Sequence, residues 1–156
     1  WGEVLWAATL GTVYALIVIL VLAGFTLAGW LHLHWAGAVL VVPLLFLAAL
    51  AFAALGLLFT ALVPSIDHMN IPFFLVVMPL GFASSTYFPL EGDSPWTRAW
   101  LLLNPLHHLA EGIRRLLLAG EMNHHLVVAC GLFLLMILVL VPIDERLLRR
   151  RVLGEG

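Results

Sequence analysis

The sequence predicts an all-α integral membrane protein: four membrane-crossing helices, with an amphipathic re-entrant helix pair between the third and the fourth. Three observations predict it. Of the 156 residues, 63% are hydrophobic and 10% charged, where a soluble domain has about half and about a quarter. Charge is absent from three long runs, residues 4–66, 68–90 and 122–143, and no water-soluble fold leaves the first of these bare. Nor do polar and apolar residues alternate over the roughly ten positions that a barrel strand in a membrane needs. Helices, which satisfy their own backbone groups, are what remains.

The spans follow from length. A hydrocarbon core about 30 Å thick takes roughly 20 residues at 1.5 Å each. The first span covers residues 4–29 and the second 36–63, both long enough to cross with tilt. The third, 71–90, contains Pro72, Pro79 and Gly81, so a kink or break is expected mid-span. The fourth, 126–143, is the shortest and is closed by Pro142. The chain opens on Trp1 with no basic segment and no small-residue cleavage site ahead of the apolar run, which is not the pattern of a signal peptide. It reads as one membrane domain, 1–156, cut from a longer protein.

Orientation rests on the arginines. Arg146, Arg149, Arg150 and Arg151 follow the fourth span at once, which assigns the tail, 144–156, to the cytoplasm. Residues 64–70 are then inside, and 30–35 and 91–125 outside. Arg98, Arg114 and Arg115 oppose this count, but they share their segment with Glu91, Asp93, Glu111 and Glu121. Trp30 and Trp35 bracket the first outer turn, and Trp96 and Trp100 follow the third span. Trp at such positions fits an interfacial belt.

The segment 91–125 is the least membrane-like. Pro95 can open a helix behind a Ser94 cap. Asn104-Pro105 interrupts it, and a second helix over 106–119 ends at Gly120. Leu106, Leu109, Ile113, Leu116 and Leu117 share one face at helical spacing, with His107, His108, Glu111, Arg114 and Arg115 on the others. Glu111 and Arg114, three apart, can pair.

Several chemistries are excluded or disfavoured. The sequence holds no Lys, which rules out a P-loop. Net charge is −2 and the arginines form no basic stripe, which argues against nucleic acid. Cys130 is the single cysteine, so there is no disulfide framework. His32 and His34, with His124 and His125 on the same side, invite a metal reading; but no Cys, Asp or Glu sits among them, and the spacings are not those of structural zinc. No metal is assigned. Ser84, Ser85 and Thr86 lack the elbow of a hydrolase nucleophile and are expected to bond back to helix carbonyls or to line a polar path. Asp67 and His68 read as a solvated turn. The predicted spans carry no Asp, Glu, Lys or Arg, which disfavours a proton-driven carrier. The chain is not read as an enzyme.

Five stretches resemble one family. Gly2-Glu3-Val4-Leu5-Trp6-Ala7 resembles a Gly-Glu motif ahead of a third span. Ala61-Leu62-Val63-Pro64-Ser65-Ile66-Asp67 resembles the loop closing a fourth. Ser84 to Pro89 resembles the close of a fifth, and Pro105-Leu106 through His108, Glu111, Arg114 and Gly120 resembles the helix after it. Leu147-Leu148-Arg149-Arg150-Arg151 resembles the tail. The family is that of the membrane subunits of type-2 ABC exporters, and within it the nodulation-protein-J group. Two departures stand out: Ser85 where the group has Gly, and one extra residue between Arg114 and Gly120.

The resemblance implies spans three to six of a six-span permease in the bacterial inner membrane. It implies a second permease copy, in a homodimer, and a separate ATPase subunit that binds ATP and Mg, with no cofactor in this chain. Gly2, Glu3, Trp6, Pro64, Ser65 and Asp67 would meet the ATPase. Ser84, Ser85, Tyr87, Pro89, Pro105, His108, Glu111 and Arg114 would form an outer gate. The implied cargo is amphipathic, of the lipo-oligosaccharide or polysaccharide type. A drug or antibiotic efflux permease of the same fold, and a membrane scaffold without cargo, are the alternatives.

Overall fold

A computed structural model of the chain describes residues 2–30, 32–84 and 94–153. Their regular structure is helical throughout: α1 (Gly2–Leu27), α2 (Trp35–Leu62), α3 (Asn70–Phe82), α4 (Pro95–Leu103), α5 (Pro105–Leu118) and α6 (His124–Leu153). Of these, α1, α2 and α6 are long and apolar enough to cross a membrane.

Between lipid-immersed helices the hydrophobic effect gives no net drive, so close van der Waals contact has to hold them together. The sequence supplies small residues for it. On α1, Ala8 is fully buried, and a Cβ added at Gly11 would lie 3.2 Å from Cβ of Ala49. On α2, Gly37, Ala38, Val41, Leu44, Ala48 and Ala51 are buried at three- and four-residue steps, one continuous stripe along a helix. Leu126, Ala129 and Phe133 of α6 pack on that stripe together with Leu116 and Leu117 of α5. Phe133 meets Phe52 edge-on, ring centroids 6.1 Å apart. Hydroxyls inside the spans find partners in their own helix: Thr9, Thr12, Thr26 and Thr60 each donate to the carbonyl four residues back.

The end of α1 is fixed by local chemistry. Gly29 takes a φ of 77°, open to glycine without a Cβ penalty. Its N–H donates to the Thr26 carbonyl, and the Trp30 N–H donates to Phe25. This is a Schellman closure. The apolar contact that accompanies such a closure is also present, with the Phe25 and Trp30 rings 5.8 Å apart.

The third and fourth spans depart from expectation. Residues 71–90 were expected to cross, but α3 stops at Phe82; residues 85–90 lie outside the described ones. Thirteen residues at 1.5 Å reach about 20 Å, short of a bilayer core. The expected kink is a π turn over Phe73–Val77, where the Met78 N–H reaches back to Phe73, between Pro72 and the missing N–H of Pro79. In α6, Pro142 does not end the helix, which runs on to Leu153. The proline lies past the middle of the helix, and beyond it Arg149 donates to Glu145 at 2.9 Å, a four-residue pair that supports a helix near water.

Two ends form, because α1 runs opposite to α2 and α3 returns from the turn after α2 to the Asn104 side. The Pro64–Asn70 turn, the start of α1 and the arginine-bearing end of α6 gather at one. The 29–34 turn, α4, α5 and the start of α6 gather at the other. There α4 and α5 make a helical hairpin. It is seated on α2 at Gly37, where a Cβ would collide with the Leu116 carbonyl, and on α6 at Gly112, where a Cβ would lie 2.8 Å from the Leu126 side chain. The His34 N–H donates to the Leu117 carbonyl and closes the seat.

Candidate functional site

The hairpin is organised by one amide. Asn104, 1% exposed, sits between α4 and α5. Its Oδ1 accepts from the Leu106 N–H, a helix cap, while Nδ2 donates to the carbonyls of Leu80 and Ala83 at 2.9 and 3.0 Å. A buried amide with both ends satisfied fixes geometry that apolar contact alone would leave slack. The end of α3 is thereby tied to the tip of the hairpin. Ser94 stands at the N-cap of α4, but its side chain makes no cap bond; the expected cap there is absent, and the effective one is ten residues on, at Asn104.

The expected faces of α5 need one correction. His108 is expected away from the apolar face, yet it is 3% exposed. Position 108 falls on the arc of Pro105, Gly112 and Leu116, the side-chain face that packs inward. Its polar ring is paid for by two bonds. Nε2 donates to the Leu102 carbonyl at 3.0 Å, so Nδ1 accepts from Nδ1–H of His125 at 2.9 Å, a tautomer assignment that follows from the carbonyl accepting only.

His107 and His124 complete the group. Ring centroids are 5.3 Å apart for His107 and His108, 5.7 Å for His107 and His125, and 4.0 Å for His124 and His125. A cleft of about 360 Å³ opens beside them, its polar lining Arg98 and the four imidazoles, its apolar wall Leu101, Leu102 and Val128. Burial, then the neighbouring His108, hold the His107 imidazole below the usual histidine value. The histidine pairing considered from sequence is therefore not the one formed. His124 and His125 join His107 and His108, while the His34 ring lies against Gly120, whose φ is 70°. Among the described residues, no three His, Cys, Asp or Glu are arranged to hold a metal ion.

The remaining predicted site residues divide in two. Pro64, Ser65 and Asp67 are exposed on the turn after α2, where Ser65 Oγ lies 2.7 Å from Nδ1 of His68. Gly2 and Trp6, the latter 64% exposed, and the backbone of Glu3 lie at the same end on α1. At the other end, Ser84 is buried and donates to the Gly81 carbonyl at 2.6 Å, the back-bonding expected of it. Glu111 accepts from Arg114 at 2.6 Å, and Pro105 is buried at the start of α5. Ser85, Tyr87 and Pro89 lie outside the described residues.

Sequence reasoning missed Asn104 as more than a break, and it missed Asp144. That carboxylate is 3% exposed, and neither oxygen has a hydrogen-bond partner among the described residues. The available signal was an acid two residues past Pro142, inside a helix that the proline was taken to end.

The sequence has known relatives. The model of the family described as ABC-2 type transporter matches residues 1–118. The chain belongs to the ABC-2 type transporter family. Within it, the chain is 32% identical over 155 residues to nodulation protein J of Rhizobium leguminosarum bv. trifolii, covering 97% of this chain and 56% of that protein. It is 33% identical over 150 residues to nodulation protein J of Neorhizobium galegae, covering 96% and 55%. The protein of that name from Rhizobium leguminosarum bv. viciae is 29% identical over 154 residues. The chain thus spans about half the length of the curated relatives it matches. No solved structure matches it. Membership in this ABC-2 family and three long apolar helices make the chain a membrane-embedded one.

Proposed function

We propose that the chain is the second half of the permease subunit of an ATP-driven exporter in a bacterial inner membrane. The observation that carries this reading is the similarity to nodulation protein J, which runs along 96–97% of the chain. The arginine-bearing end of α6 supports a cytoplasmic C-terminus. With that orientation the exposed Pro64, Ser65 and Asp67, with Gly2, Glu3 and Trp6, face a separate ATPase subunit that takes up ATP and Mg. At the opposite end α3, Ser84 and the hairpin residues Pro105, His108, Glu111 and Arg114 border the exit, with Ser85, Tyr87 and Pro89 expected beside them. Two permease copies enclose the path. Spans bare of charge until Asp144 suit an amphipathic cargo of the lipo-oligosaccharide type better than an ion.

The test is affinity purification of the tagged full-length protein from its native membrane, with ATP hydrolysis read in the eluate. An ATPase should co-elute, and Asp67→Ala or Glu3→Ala should lower its stimulated turnover while membrane insertion is kept. Elution without an ATPase favours a scaffold. The orientation is checked separately in a Cys130-free background. Met122→Cys should react with an impermeant thiol reagent from outside, and Arg150→Cys only after permeabilisation; reversed labelling overturns the topology.

A further inference from the structure

Of the histidine cleft the reading above uses only His108, and the cleft's chemistry is specific. Arg98 and four imidazoles line it, and none of its lining residues carries a carboxylate. Glu111, which acts on His107, is engaged by Arg114 at 2.6 Å. One side is therefore a set of nitrogen donors, the other the aliphatic wall of Leu101, Leu102 and Val128. Its volume of about 360 Å³ lies within the roughly 300–1,000 Å³ of small-molecule sites.

We propose that this cleft binds a single acidic amphiphile, its oxyanion head held by Arg98, His107, His124 and His125 and its chain laid on Leu101, Leu102 and Val128. The head is a phosphate, sulfate or carboxylate, whether carried by a membrane lipid or by another amphipathic molecule. Buried His108 orients the site. Because its Nε2–H is committed to the Leu102 carbonyl, its Nδ1 holds the His125 ring in one position.

The arrangement makes binding proton-linked. Imidazoles this close oppose one another's charge, and burial with these neighbours holds the His107 and His125 rings below the ordinary histidine value in the empty cleft. An oxyanion among them favours the imidazolium form, and each proton taken up converts an acceptor nitrogen into a donor. Among the described residues, the charged and titratable groups around the cleft are Arg98 on α4, His107, His108, Glu111, Arg114 and Arg115 on α5, and His124 and His125 on α6. Of these, Glu111 alone opposes an anion, and it is paired with Arg114. Affinity therefore rises as pH falls through the histidine range, and binding consumes protons.

The experiment titrates decanesulfonate, singly charged at every pH used, into the full-length protein in a neutral maltoside detergent. Methanesulfonate serves as the head without the chain. One site per chain should fill, with affinity about tenfold tighter near pH 5.5 than near pH 8. His107→Asn with His124→Asn, both away from the buried positions, should abolish that dependence. Arg98→Gln should weaken binding at both pH values. Methanesulfonate should bind at least about a hundredfold more weakly; equal binding would overturn the amphiphile and leave a bare anion site. Absence of saturable decanesulfonate binding, or binding unchanged in both variants, would overturn the site altogether. Export and ATPase coupling are read independently, so failure here leaves the transport reading standing.

Discussion

α1 and the α4–α5 hairpin are held to the same bundle by different means. α1 is fastened by shape. Ala8 and Gly11 fit against α2, and most of its other apolar residues are exposed. The hairpin, besides its close seats at Gly37 and Gly112, is fastened by polar groups with defined partners, Asn104 to α3 and His108 to Leu102 and His125. The difference teaches that a segment of mixed composition needs directional bonds to define its position, whereas a uniformly apolar helix is free to slide until small residues find each other. It also bears on function. A cleft of fixed donors is possible only where the backbone beneath it is pinned.

The sharpest way to break the comparison is Asn104→Leu. It strands the carbonyls of Leu80 and Ala83 and the N–H of Leu106 in a buried place, at about 1–3 kcal/mol for each group left unpaired. We expect a loss on the order of 3 kcal/mol or more in detergent unfolding, and a similar loss for Asn104→Asp, which has no donors for the two carbonyls. Unfolding at the parent temperature would mean that the hairpin, like α1, is held by shape. Next in size, Gly37→Val forces a side chain against the Leu116 carbonyl and should cost about 1–3 kcal/mol. Gly24→Val, where nothing lies within 4 Å, should stay within about 0.5 kcal/mol. A comparable loss at Gly24 would reveal that another segment covers that flank of α1.

A third measurement uses pH. The His107 imidazole is held below its ordinary value in the folded chain, so the unfolded chain binds more protons. Stability then rises with pH through the histidine range and falls as the pH drops below about 6.5. His107→Asn should flatten that part of the curve of melting temperature against pH; an unaltered slope assigns it to other groups. The smallest effect belongs to the Glu111–Arg114 pair. Its side chains are 19% and 45% exposed, so a double-mutant cycle should return about 0.2–1 kcal/mol. Glu111→Arg should harm export only if the pair borders the exit, and adding Arg114→Glu should then restore part of it.

The long helices were legible because composition alone selects them: α1 and α2 lie within two residues of the expected spans at both ends. The hairpin was legible in outline, from Pro95, Asn104-Pro105 and Gly120. What escaped was direction. His108 looks polar in a helical projection, and only the carbonyl of Leu102 and the ring of His125, six and seventeen residues away, explain why it points inward. The extent of α6 escaped for a related reason. Pro142 reads as a stop in an isolated pattern, but the helix continues into residues that pair with each other. The histidine grouping depended on which elements meet, and spacing along the chain carries no such information.

Asn104 has one further property. An asparagine ages by attack of the following backbone nitrogen on its side chain, which closes a succinimide and leaves aspartate. Here that nitrogen belongs to Pro105, which has no N–H to lose, so the ring cannot close. A carboxylate at this position would turn two donated bonds into two repulsive contacts with carbonyl oxygens. The residue on which the hairpin depends is thus followed by the neighbour that best preserves it. Its joint with α3 is protected against deamidation by this route.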